Sequence, residues 1–250
     1  MHEALCTAFE RLSTAIEGAR FERRPGYVWF VVPPVPIAQF NGVWPTDDSA
    51  ADALGDALGE IRELGLPYSV QTRQGRTPAF ERAARDLGLT GELELPGMVA
   101  RPNELHGQVE VKAEIIRVVT ADGLAQALAT AAAGFGAPPD LLAPIYLQEV
   151  SQLDGFSHYL ARAGGVDVST AVGYLLDGTV GIFNVATPPE HRGRGYGAAV
   201  TLAAAHDAFD RGADLAWLQS SAMGHSVYQR LGFRDVERYV LHTAPEAMAV

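Results

Sequence analysis

Apolar and polar positions alternate along this chain in two rhythms, one helical and one extended, from end to end. Leu5, Phe9, Leu12 and Ile16 recur at helical spacing and predict a first helix that Gly18 stops. "YVWFVV" (27–32) is a buried-strand run broken by Pro33, Pro34 and Pro36. Residues 50–65 predict an amphipathic helix closed by Gly65, and "PYSVQTR" a strand. Residues 77–88 predict a helix with Thr77 as its cap and Pro78 at its first position. "RPNELHGQ" (101–108) is polar, has no period, and reads as a linker.

Beyond it the rhythm resumes. Residues 109–120 have strand character, 121–136 and 139–150 read as helices, and 156–163 as a strand. Between 168 and 187 two apolar runs flank Asp177-Gly178, a strong hairpin signal. A helix follows with Ala198, Leu202, Ala205 and Phe209 on one face, ended by Gly212. A strand over 213–221, a short helix over 224–232 and a last strand over 236–243 complete the pattern. The whole reads as α/β.

The order of elements also repeats. Phe183-Asn184 and Leu231-Gly232 lie 48 residues apart, and Phe40-Asn41 and Leu87-Gly88 lie 47 apart. Between these markers both halves read loop, helix, break, strand, short helix, which points to a degenerate duplication.

Composition narrows the partners. With 48% hydrophobic and 20% charged residues in 250, the chain has enough apolar material for a sizeable core. A formal net charge of −11 argues against nucleic acid and against anionic membrane, which both call for a basic surface. Cys6 is the single cysteine, so no intrachain disulfide forms. The charged N-terminal stretch holds no apolar block of signal or membrane-span length, and a cytoplasmic location is expected. No spacing of His, Asp and Glu suggests a metal site.

The candidate chemistry sits in "TPPEHRGRGYGAAV" (187–200), where Arg192, Gly193, Arg194, Gly195, Tyr196 and Gly197 lead into an alanine-rich helix. Glycines let backbone N–H groups converge on an anion, the helix N-terminus adds partial positive charge, and guanidiniums suit phosphate oxygens. A P-loop is excluded, because it needs a lysine in the loop and the chain's one lysine is Lys112. Gly193, Gly195 and Ala198 fit the spacing of a dinucleotide fingerprint. However, Pro188 to Arg192 separate them from a strand that belongs to an antiparallel hairpin, which is the wrong context.

Arg192-x-x-Gly195-x-Gly197 resembles the Arg/Gln-x-x-Gly-x-Gly/Ala loop of the GCN5-related N-acetyltransferases, the GNAT superfamily. The likeness extends over roughly residues 110 to 245 through the hairpin, the following helix, "ADLAWLQSS" and "YQRLGF". It implies two GNAT-like units, each a mixed, mostly antiparallel sheet flanked by helices. Residues 1–105 would be a degenerate unit and 109–250 the catalytic one. The resemblance further implies acetyl-CoA as co-substrate, held by the loop amides and by the backbone of Asn184, Val185, Ala186 and Thr187. Its acceptor would be a small-molecule amine or a peptide N-terminus.

By the same resemblance Tyr228 protonates the departing thiolate, although Tyr228 and Leu231 also share a helix face as packing residues would. Ser220 and Ser221 either support that site or cap the next helix. Members of the family often carry a glutamate on the strand before the loop, yet "GIFNVAT" has none. Glu149, Asp154 and His158 are the candidate bases, with water as the other route. In the first half, "TDDSAADALG" (46–55) places carboxylates where the loop needs cations; Asn41 and Trp44 either reach the acceptor pocket or, the reading preferred, serve the core or a boundary between domains. A non-catalytic acyl-CoA-binding protein is the alternative.

Overall fold

The chain folds as mixed α/β, and a computed structural model describes residues 1–106 and 109–245. Its contacts divide into two units. One comprises Phe9–Gly97 and the chain from Val236 onward, the other Met1–Ala8 and Met98–Asp235. The ends are therefore exchanged relative to boundaries drawn at 1–105 and 109–250.

In chain order the first unit takes the end of α1 (His2–Ser13), then β1 (Arg20–Arg24), β2 (Tyr27–Val31), β3 (Gly42–Pro45), α2 (Leu54–Glu63), β4 (Ser69–Arg73), α3 (Pro78–Asp86) and the start of β5 (Gly91–Ala100); the start of α1 and the end of β5 belong to the second unit. Three strands here escape the hydrophobic pattern. β1 is "RFERR", and its arginines hide what it does: Arg20 and Arg24 lie 5.0 and 4.9 Å from the ring of Trp29 on β2. β3 is four residues among prolines and is made a strand by parallel pairing, Gly42 to Ser69 and Val43 to Val70. β5 carries Pro96 and Gly97 in its interior.

The core of this unit gathers Trp29, Val43, Leu58, Ile61, Val70 and Phe80. Asn41 is fully buried and satisfied. Its Oδ1 accepts from the Val32 amide at 2.8 Å, and its Nδ2 donates to the Val35 and Ile37 carbonyls. Trp44 packs on Phe9 and Phe30. Thr77 does not cap α3; its hydroxyl accepts from the Arg73 amide instead. The cap comes from Asp48, whose carboxylate accepts from the Ala79 and Phe80 amides. One of the misplaced-looking acids of "TDDSAADALG" thus holds a helix.

The second unit continues with β6 (Glu114–Val118), α4 (Ala121–Phe135), α5 (Pro139–Leu142), α6 (Gln148–Ser151), β7 (Phe156–Ala163), β8 (Val166–Leu176), β9 (Thr179–Ala186), α7 (Tyr196–Asp210), β10 (Leu215–Gln219) and α8 (His225–Arg230). Its strand order is β5-β10-β9-β8-β7-β6. Asp177 and Gly178 both take positive φ, as a tight hairpin with matching twist requires. The helix expected over 139–150 is interrupted by a tighter turn over Ala143–Tyr146 that contains Pro144, and by extended Leu147. α7 lays Leu202 and Ala205 on Val180, Ile182 and Tyr159.

The last strand, β11 (Arg234–Thr243), completes the first unit: it runs antiparallel to β4 from Tyr239 opposite Arg73 to Thr243 opposite Ser69.

Candidate functional site

β9 and the loop after it make the candidate site. Along β8 the register slips between Val172 opposite Phe183 and Thr170 opposite Ala186, so Asn184 and Val185 face a single residue across the ladder. This is a β-bulge, and Asn184 sits in it with φ +49°. On its other edge β9 pairs in parallel with β10 only from Thr179 to Gly181. From Ile182 to Ala186 that edge has no strand partner among the described residues. Its N–H and C=O groups are a template for an added extended chain.

The end of β9 is pinned. Ser169 on β8 donates to the Ala186 carbonyl and lies 2.9 Å from the Thr187 hydroxyl. Gly134 of α4 approaches so closely that a Cβ there would stand 2.8 Å from Ala186 Cβ and 2.9 Å from the Thr187 amide. Arg192 closes the arrangement: its Nε donates to the Thr187 carbonyl at 3.1 Å and its Nη2 to the Gly134 carbonyl at 2.8 Å. The guanidinium expected to meet phosphate is thus committed to two backbone carbonyls.

Beyond it the backbone takes positive φ at Gly193 (+76°) and Gly195 (+83°), conformations glycine adopts without strain. Gly195 is the N-cap of the 15-residue α7, and no side chain caps that helix. Its first-turn amides therefore lack a side-chain partner where the positive end of the helix dipole lies. Arg194 is exposed and has no partner among the described residues, so it is the cation available beside them. Gly197 is held small by Thr187, whose Oγ1 would be 3.3 Å from a Cβ, and Tyr196 packs with Val185. Val109 and Val111 border Gly195.

Tyr228 lies in the core under α7, 9% exposed, with its ring against Phe233. Burial pushes its phenol up to about 12, opposed by a hydrogen bond with Thr201. Thr201 in turn donates to the Gly197 carbonyl, which links the tyrosine to the first turn of the loop helix. Ser220 is fully buried and donates to the Ser221 carbonyl; Ser221 accepts from the Gly224 amide and caps the turn into α8.

The candidate bases are scattered. Glu149 and Asp154 are exposed. His158 is 1% exposed, and burial pushes its imidazole down to about 4, which makes it a weak proton acceptor. Tyr146, which the periodicity does not mark, is buried facing Asn184, and its phenol is driven well above the usual range by desolvation. Gly134 and Ser169 also escape sequence reasoning. An isolated glycine inside "ATAAAGFG" is the available signal for the first. Nothing local marks the second.

Among the described residues no group of three or more His, Cys, Asp or Glu could hold a metal ion, and no helix is long and apolar enough to cross a membrane.

Residues 124–233 match the model of the acetyltransferase (GNAT) family. A GCN5-related N-acetyltransferase from Kribbella flavida superposes with a TM-score of 0.71 at 18% identity, covering 96% of this chain and 94% of that one. One from Sphaerobacter thermophilus reaches 0.62 at 17% identity, over 93% and 84%. A tandem GNAT protein from the clavulanic acid biosynthesis pathway reaches 0.59 at 13% identity, over 87% and 78%. No curated protein sequence matches. The family model thus matches residues 124–233, and the solved structures share the fold of the chain.

Proposed function

We propose that this chain is a GNAT-superfamily enzyme that transfers an acetyl group from acetyl-CoA to an amine by direct attack in a ternary complex. The observation that carries the reading is the coupling of an uncapped, glycine-led helix N-terminus to an unpaired strand edge that ends at it. The loop amides and Arg194 suit a pyrophosphate, and the Ile182–Ala186 edge suits the amide-bearing pantetheine arm.

In this reading the nitrogen lone pair of a neutral amine attacks the thioester carbonyl carbon. Backbone N–H near the Asn184 bulge stabilises the oxyanion, and the carbon–sulfur bond breaks. Tyr228, protonated at any ordinary pH, passes its proton to the thiolate. The surplus amine proton leaves through water, which returns a proton to Tyr228 once the products depart, since the carboxylate candidates are exposed and His158 is a weak acceptor. The acceptor is a small amine or a peptide N-terminus. The first unit is read as a degenerate copy: it repeats an antiparallel strand pair, a helical crossover and a parallel strand, with Asp48 spent on a cap.

The absence of an acid on β9 favours a second reading, an acyl-CoA-binding protein without turnover. Calorimetric titration with acetyl-CoA separates them. One site per chain is expected, abolished by Gly195→Asp and weakened about tenfold by Arg194→Ala. Binding followed by acetylation within an amine library supports transfer, and binding with no turnover selects the second reading. No binding overturns both.

A further inference from the structure

A second concave feature lies at the other end of the strands from the glycine loop. The registers place it: Ala186, Thr170 and Leu160 share the loop end, whereas Gly181, Tyr174 and Phe156 share the opposite one. There Val118 ends β6, the chain turns through Thr120 into α4, and α6 closes the side. The cavity measures about 240 Å³. That is below the ~300–1,000 Å³ of drug-sized pockets, so its occupant is small.

His158 lines it. The ring is 1% exposed and stands between Tyr146 and Phe156, with centroids 5.0 and 5.2 Å away. Neither ring nitrogen has a hydrogen-bond partner among the described residues; the Ile145 carbonyl acts on the ring but stands outside bonding geometry. A neutral imidazole carries one donor and one acceptor, and leaving both unmet in the interior is costly.

Arg117 stands at the rim. Its Nε and Nη2 both donate to Ser157 Oγ, at 3.3 and 2.9 Å. Asp207 lies 3.9 Å from Nε, but that carboxylate also serves the Tyr159 hydroxyl at 2.7 Å and Arg211 at 3.5 Å. Nη1 of Arg117 has no partner among the described residues. Gln148 and Gln152 add amides, Leu124 and Phe156 an apolar wall, and no carboxylate lines the space.

We propose that this cavity binds a small monocarboxylate, its carboxylate held by Arg117 and its hydrocarbon part resting on Leu124 and Phe156. The guanidinium fork matches a carboxylate in shape, and one cation matches it in charge. A phosphate dianion would be left half compensated in a chain of net charge −11. The His158 ring N–H and the glutamine amide N–H groups then donate to the ligand's carboxylate. The site is separate from the loop and stands whether or not acetyl-CoA binds there.

The test is NMR of the full chain with isotope-labelled histidine, titrated with benzoate and butyrate and, in parallel, with their uncharged amides. The His158 ring signals are assigned with His158→Gln. Expected are saturable shifts of those signals with at least one carboxylate, and an affinity for the matching amide weaker by at least about tenfold. Arg117→Gln weakens the carboxylate to a similar degree while the melting temperature and the acetyl-CoA titration stay unchanged. The proposal is overturned if neither carboxylate shifts His158, if the amide binds as well, or if Arg117→Gln leaves carboxylate affinity intact.

Discussion

Tyr228 and His158 show how burial sets the chemistry of single residues in this protein. Burial raises the Tyr228 phenol to about 12, which keeps it a proton donor. Tyr228→Phe removes only the hydroxyl and keeps the ring against Phe233, so packing survives. It is expected to lower kcat by about 10²-fold or more with acetyl-CoA affinity within about twofold, checked by steady-state kinetics beside calorimetry. A purely structural tyrosine would move the melting temperature and leave kcat alone.

For His158 the shift runs down, to about 4. Between its unfolded value near 6.5 and that depressed one, the unfolded chain takes up a proton that the folded chain refuses. Its contribution is therefore complete above about pH 6.5 and is lost as pH falls toward 4, by on the order of 3 kcal/mol. Urea unfolding at pH 7.5 and 5 is expected to show this loss, and His158→Phe to flatten it. His242, lowered by desolvation in the other unit, acts in the same direction, so the variant is what isolates the effect.

Among the elements, the approach of α4 to the end of β9 is the contact on which the loop rests. A Cβ at Gly134 would meet both Ala186 and the Thr187 amide, so Gly134→Ala forces α4 away from the strand. The expected cost is about 1–3 kcal/mol by urea midpoint. A loss of acetyl-CoA affinity of several-fold should accompany it, because the same residue supplies the carbonyl that holds Arg192. Elements with a clear period are legible in the amino-acid pattern: β7 covers Phe156–Ala163 as its pattern predicts, and the Asp177-Gly178 hairpin turns where expected. β1 and β3 are not, since exposed arginines and a proline-rich setting carry no strand period. Their strand character comes from pairing with β2 and β4.

At the scale of the whole molecule the exchange of chain ends is the main finding about the fold. β4 pairs along one edge with β11, and Arg73 bonds Glu237 in the same unit. A fragment of residues 1–105 lacks both. It is expected to give the narrow amide dispersion of an unfolded chain by NMR, while the same fragment with residues 236–245 appended through a flexible linker regains cooperative unfolding. Equal folding of both fragments would show that β11 is dispensable to the unit.

What the sequence alone determined is local: helix and strand periods, the hairpin dipeptide, and a glycine loop opening a helix, each encoded within a few neighbouring residues. It also marked Arg192 and Arg194 without separating them. Only tertiary structure assigned one to the backbone carbonyls of Thr187 and Gly134 and left the other exposed. Only tertiary structure handed Asp48 to a helix 31 residues away, β11 to β4, and His158 to an unmet cavity. The reason is physical. Propensity and spacing act between neighbours, whereas a hydrogen-bond partner or a desolvated ring depends on which distant segments the fold brings into contact.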